Sequence, residues 1–292
     1  MRTAALIGLL ALILTVSVGC NGPAPGAAFV EQADRLHGGA LASQTITDPD
    51  ARDYVQLVGK RIADAAHAVD PSRTHDALFS QMEFDLVASP VPNVFATGGS
   101  HIYINDGLFQ LCQTEDQLAA AIAHAFAHAV SLDAEHLGFT PDPNDSIAMI
   151  GWQFVTHRLT LQQEQTADKF AFDLYVQAGY DPAQFVALFE TLTDRYPSGQ
   201  APDRIPLIVR TQSARQWAQA TTRQRRPLPV ADPKTFLALR KSVAGRAGSL
   251  NLLGSVILEA LPNCLLAADL PDQLLAQEKL RPAAPSKRLE PN

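Results

Sequence analysis

His124 and His128 stand four residues apart in Ala119-Ala120-Ala121-Ile122-Ala123-His124-Ala125-Phe126-Ala127-His128. On a helix that spacing turns both imidazoles to one face, one turn apart, where a single tetrahedral zinc can bridge them. Among eight histidines such a pair arises easily by chance, so alone it carries little. Glu164 and Asp168 repeat the spacing in a second apolar-periodic segment. They offer one carboxylate ligand and one outer acceptor able to orient a histidine through its other N–H. By themselves they read as a solvated helix face; together with the histidines they describe two helices converging on a metal.

The elements that must position these residues are legible nearby. Thr114 is placed to cap the first helix, with Glu115 and Asp116 in its opening turn and Gln117 three residues after the cap. The helix is expected to run to about Val130. A second is expected from about Leu159 to Ala178, stopped by Gly179, and Pro182 opens a third through Leu188. Upstream, Val55, Val58, Ile62, Ala65 and Val69 recur at steps of three and four, so a packing helix ends before Pro71. Between 83 and 104 the period falls to two, with Phe84, Leu86, Ala88, Ile102 and Ile104 alternating with polar neighbours. These are strands, punctuated by Pro90, Pro92 and Gly98-Gly99, and they suggest a small antiparallel sheet. Apolar stripes at 236–243 and 250–261 add two helices. The fold class is mainly α with a small antiparallel β-sheet (α+β).

Composition sets bounds on partners. The chain has 292 residues, 47% apolar and 18% charged, enough for one sizeable core. Acidic residues outnumber basic ones, 30 to 23, and no basic cluster exceeds Arg223, Arg225 and Arg226, which argues against nucleic acid as a partner. Proteins or peptides are the expected clients.

At the N-terminus Arg2 precedes an apolar run from Ala4 to Val18 and then Ser17-Val18-Gly19-Cys20. The run is shorter than the roughly 18 to 20 residues of a spanning helix and reads as a secretory signal. The residues before Cys20 resemble a bacterial lipobox, with Ser17 where leucine is commonest. Cleavage and acylation at Cys20 would hold the protein on a membrane of the cell envelope with its body outside the cytoplasm. The expected organisation is a signal peptide at 1–19, a tether at 20–47, the main domain at 48–225, a helical extension at 226–280 and a disordered tail at 281–292. Cys112 and Cys264 are left as two buried thiols or, in an oxidising compartment, a disulfide.

Three runs carry a resemblance: Pro92-Asn93-Val94-Phe95-Ala96, His101-Ile102-Tyr103-Ile104-Asn105-Asp106-Gly107-Leu108, and Glu115-Asp116-Gln117-Leu118-Ala119-Ala120. With the histidine pair at the following spacing, Glu164-Gln165-Thr166-Ala167-Asp168, and Ala178-Gly179-Tyr180-Asp181-Pro182, they resemble the HtpX/Ste-type zinc metallopeptidases over roughly residues 50 to 210. The resemblance implies a zincin-like metallopeptidase domain in which His124, His128 and Glu164 ligate one zinc ion and Asp168 supports the site. It also implies that the loop at Ala96 to Gly99 leads an edge strand able to pair with an extended peptide.

Two positions depart from that pattern. Ala125 stands where the family has a glutamate that takes a proton from the attacking water and passes it to the leaving amine. Losing positioned acid–base catalysis costs on the order of 100- to 10,000-fold. Tyr196, before Pro197, stands where the family has a histidine that helps stabilise the tetrahedral intermediate; its O–H could still donate to an oxyanion. Arg204 matches the arginine that follows. The expectation is a zinc-binding pseudopeptidase, against an active endopeptidase with a surrogate base and a metal-free structural domain. His37, His67, His75, His136 and His157 have no comparable pattern and read as surface or packing residues, and His101, in the edge-strand segment, as structural.

Overall fold

A computed structural model describes residues 27–71, 81–89, 92–131, 159–195, 204–221 and 233–247. The signal run with Cys20, Tyr196, Cys264, the stripe at 250–261 and the tail lie outside the described residues.

The helix expected before Pro71 is α2, Pro49–Val69, and its start is local chemistry. Asp48 accepts a hydrogen bond from the Ala51 N–H at 3.0 Å, and Pro49 fills the first turn, where its missing donor costs nothing. The buried stripe Val55, Val58 and Ile62 faces the core. Gly59 lies on the same side, close enough to the Phe84 ring that only a residue without a Cβ fits there.

Three strands follow: β1 (Glu83–Val87), β2 (Val94–Ala96) and β3 (His101–Asn105), in the order β1-β3-β2. The mainly helical class with one small sheet holds, but the sheet is mixed. β2 pairs with β3 antiparallel, with Phe95 opposite Tyr103, whereas β1 pairs with β3 in parallel, with Leu86 opposite Ile104. The reason is topological: β3 inserts between the two earlier strands, so β1 meets the second strand after it, not its immediate successor. The alternating residues divide the faces as expected. Phe84, Leu86, Val94, Ala96, Ile102 and Ile104 join the main core, and Val87, Phe95 and Tyr103 face the other way.

That outer face is covered by the segment expected to be a tether. Residues 27–44 are helical: α1 (Ala27–Leu36), a π-helical turn (His37–Leu41) and a 3-10 turn (Ala42–Gln44). Leu36 and Leu41 close over Val87, Phe95 and Tyr103, with Phe29 alongside. Asp34 accepts hydrogen bonds from the Ser100 N–H at 2.7 Å and the Ser100 hydroxyl at 3.0 Å. Phe29 lies so close to Gly98, whose φ of 92° only glycine adopts easily, that the turn 97–100 and α1 fix one another. The Gly- and Ala-rich composition hid a helix because its apolar residues, Phe29, Ala33 and Leu36, gain their burial only from a sheet formed later in the chain.

The rest is helical: α3 (Asp106–Leu111), α4 (Glu115–Val130), α5 (Leu161–Gln177), α6 (Pro182–Arg195), α7 (Arg204–Ala220) and α8 (Pro233–Ala247). α4 is buried along nearly its whole length, which its alanines permit by letting α2, α5 and α6 approach closely. Thr114 caps α4 by accepting from the Gln117 N–H at 3.2 Å. Glu115 and Asp116 do more than complement the helix dipole. Glu115 accepts from the Tyr54 hydroxyl at 2.7 Å and pairs with Arg61 at 3.2 Å; Asp116 accepts from the Asp181 N–H at 3.0 Å. Both pin α4 to its neighbours. α8 joins the same core through Phe236 and Val243. Cys112 is fully buried, and burial pushes its thiol up to about 12, so it is unreactive at neutral pH. Among the described residues no helix is long and apolar enough to cross a membrane.

Candidate metal centre

The sequence of α4 and α5 brings their charged positions face to face. α5 starts where Thr160 and Gln163 cap each other's backbone, and it ends where Gly179 takes a φ of 91°. With both ends fixed, Glu164 and Asp168 lie one turn apart opposite His124 and His128.

His124 Nε2 and His128 Nε2 are 3.1 Å apart, and Glu164 Oε2 lies 3.6 Å from the first and 3.7 Å from the second. For zinc–ligand bonds of about 2.0 to 2.1 Å, the edge of a tetrahedral ligand set is about 3.3 Å. The three atoms therefore lie at the separations one such ion requires. His124 Nδ1 is 2.9 Å from Asp168 Oδ1. Donation of that N–H to the carboxylate leaves the Nε2 lone pair facing the other two ligand atoms. Asp168 is fully buried and His124 is 4% exposed.

Arg210, on α7, completes the arrangement. Its Nε and Nη2 donate to Asp168 Oδ2 and Oδ1 at 2.6 and 2.8 Å, a two-bond fork, while Nη1 is 3.0 Å from Glu164 Oε2. That last oxygen is buried without an aligned hydrogen-bond donor among the described residues. Burial is the largest single influence and would raise both carboxyls; the guanidinium and the facing histidines together outweigh it and hold Glu164 and Asp168 below the ordinary carboxylate range. Desolvation, with His128 adding to it, lowers His124, so the imidazole is neutral near pH 7, as a ligand must be. Two carboxylates against one guanidinium leave a buried charge of −1, which a divalent cation would more than offset. On donor types, spacing and charge the residues fit zinc.

Ala125 follows His124 directly on α4 and is 2% exposed. Its methyl group can neither accept nor deliver a proton, and among the described residues no carboxylate other than Glu164 and Asp168 adjoins the histidines in this cluster. Arg204 opens α7, but its side chain lies outside the described residues; the arginine at the site is Arg210, six residues later. One signal could have found it: Arg210 is the first charge after the apolar run Ile205 to Val209.

Residues 49–139, from the start of α2 past the histidine pair, match the sequence model of peptidase family M48. Over that segment, about a third of its length, the chain is similar to that family. Among its relatives is the beta-barrel assembly-enhancing protease of Escherichia coli (strain K12), 23% identical over 234 residues, which cover 70% of this chain and 45% of the relative. The same protein of Shigella flexneri matches with the same values. The mitochondrial metalloendopeptidase OMA1 of Schizosaccharomyces pombe is 37% identical over 88 residues, covering 30% of this chain and 23% of that protein. The chain thus spans less than half the length of these relatives. The chain is metallopeptidase-like over the matched segment, which contains the histidine pair and Ala125.

Proposed function

We propose that this chain is a zinc-binding, catalytically impaired metallopeptidase of the bacterial envelope that engages protein or peptide clients through a retained groove. The observation that carries the reading is the convergence of His124, His128 and Glu164 beside Ala125. His124, His128 and Glu164 would hold the zinc, with Asp168 and Arg210 fixing His124 and Glu164 in place. When bound, the ion would supply Lewis acidity toward a carbonyl oxygen. The chain's own residues can orient a peptide and neutralise charge, but Ala125 leaves the proton transfers without a base. Tyr196 would offer an O–H where the family uses histidine, a milder loss.

The relatives named for beta-barrel assembly support a role in envelope-protein quality control. A signal peptide at 1–19 and a lipid on Cys20 would place the body outside the cytoplasm, attached to a membrane. The edge strand β2 is the element to which an extended client would add.

The test measures metal content and cleavage of an unfolded substrate such as casein, for the wild type and for Ala125→Glu. The expected outcome is one zinc at this site and no cleavage by the wild type, with cleavage gained by Ala125→Glu. Restoring the base is expected to raise the rate on the order of 100-fold or more. Robust chelator-sensitive cleavage by the wild type would overturn the impaired reading in favour of an active endopeptidase. Unchanged metal content on mutating His124 and His128 would overturn the site.

A further inference from the structure

A second group of metal-ligand side chains meets on the outer face of the sheet and shares no residue with the α4–α5 site. Asp85 projects from β1 and His101 from β3, with His101 Nδ1 2.8 Å from Asp85 Oδ2. Above them lies His37, from the N-terminal segment. Its ring is stacked on that of His101, with centroids 3.4 Å apart and planes 6° apart, and its Nδ1 is 2.9 Å from the Tyr103 hydroxyl oxygen. One ligand atom from each of His37, Asp85 and His101 falls within 4.8 Å of the others.

Three observations favour a cation over a packing contact. Two imidazoles face to face, without offset, are in the arrangement that aromatic quadrupoles disfavour, so stacking itself does not explain the pair. Both Nδ1 atoms are occupied, by Asp85 and Tyr103, while neither Nε2 has a hydrogen-bond partner among the described residues. Finally, His37 opens the π-helical turn His37–Leu41, a rare conformation that concentrates at functional sites. The group is also reachable, with side chains of His101 and Asp85 12% and 11% exposed, so an ion could enter and keep water on its open positions.

We infer that His37, His101 and Asp85 form a second metal site, for a first-row transition ion of the zinc class, that fastens the N-terminal helix to the sheet. Two imidazoles with one carboxylate suit zinc, copper or nickel better than magnesium or calcium, which prefer all-oxygen sets. Drawing the ligands to the roughly 3.3 Å separations of one ion asks little of the backbone. Gly38 and Gly39, directly after His37, have nothing crowding them within 4 Å.

The experiment counts zinc on the whole chain, purified in detergent, loaded and then freed of excess by gel filtration. Wild type is set beside His37→Asn, the pair His124→Ala/His128→Ala, and the combination of all three. His37→Asn is expected to hold one equivalent less than the wild type whatever the first site does. The histidine-pair variant should keep one equivalent, and the combined variant none. Equal zinc in the wild type and His37→Asn overturns the inference, and so does a folded histidine-pair variant holding no metal. Failure of the first site shows separately, as unchanged zinc in the histidine-pair variant. As a second readout, zinc should slow proteolysis within residues 27–44 severalfold in the wild type and leave His37→Asn unaffected. Equal protection of both overturns the fastening role.

Discussion

Replacing Arg210 by methionine tests the electrostatics of the α4–α5 site most directly. The substitution keeps much of the side chain's volume and removes its charge, leaving the carboxylates of Glu164 and Asp168 buried without their cation. Arg210 is 4% exposed and makes the 2.6 and 2.8 Å bonds to Asp168 and the 3.0 Å contact to Glu164. Breaking a buried pair by removing one partner costs about 3 to 5 kcal/mol. At about 2 to 4 °C per kcal/mol for a domain of this size, the unfolding midpoint in chelator should fall on the order of 6 to 20 °C. The pH dependence has a definite sign. In the wild type Arg210 depresses both carboxyls, so their contribution is complete above the unfolded carboxylate range and is lost only as pH falls through the lower folded values. The carboxyls' share of wild-type stability is therefore flat between pH 8 and 5, whereas the lowered His124 withdraws stability as pH falls below the ordinary imidazole range. In the variant burial is opposed only by the facing histidines and the carboxyls rise, so protonation in mild acid relieves the buried charge. The gap between the two proteins should narrow from pH 8 to 5. Zinc should also close part of it, since ligand at 100 times its Kd adds about 2.7 kcal/mol. Circular dichroism melts with chelator or zinc at several pH values measure all three effects. A gap below about 1 kcal/mol that ignores both pH and zinc would refute the reasoning.

Gly59→Ala should destabilise by about 1 to 3 kcal/mol, seen as a lower denaturant midpoint with unchanged slope, because the new methyl overlaps the buried Phe84 ring. Thr114→Ala removes the cap of α4 and should cost about 1 kcal/mol. Asp34→Ala takes away the acceptor of both Ser100 bonds; hydrogen exchange across residues 27–44 should rise while the helices around α4 stay protected.

The parts of the fold that were legible in the sequence are those fixed by local chemistry. Thr114 and Gly179 act within a turn of their own position, and α4 begins at the first and α5 ends beside the second. The two i,i+4 pairs likewise needed only helical geometry to share a face. What escaped depends on contacts distant in sequence. The parallel pairing of β1 with β3 follows from β3 entering between earlier strands. The helix at Ala27–Leu36 has a short apolar stripe that means little until Val87, Phe95 and Tyr103 lie beneath it. Arg210 went unremarked because a match to sequence words cannot say which turn of α7 faces Asp168. His37 and His101, read separately as ordinary histidines, are 64 positions apart in the chain and become a pair only when α1 folds back.

If Cys20 carries the proposed lipid, the docking of α1 also sets how far the protein could stray from a bilayer. A tether reaching to residue 47 would let the body wander, sampling clients at many heights and angles. With the proposed lipid on Cys20, six positions would separate the anchor from the docked helix at Ala27. Fully extended, six residues span at most about 20 Å. The body would then patrol a thin layer against the membrane surface, and its clients would be polypeptides emerging from or lying along that surface.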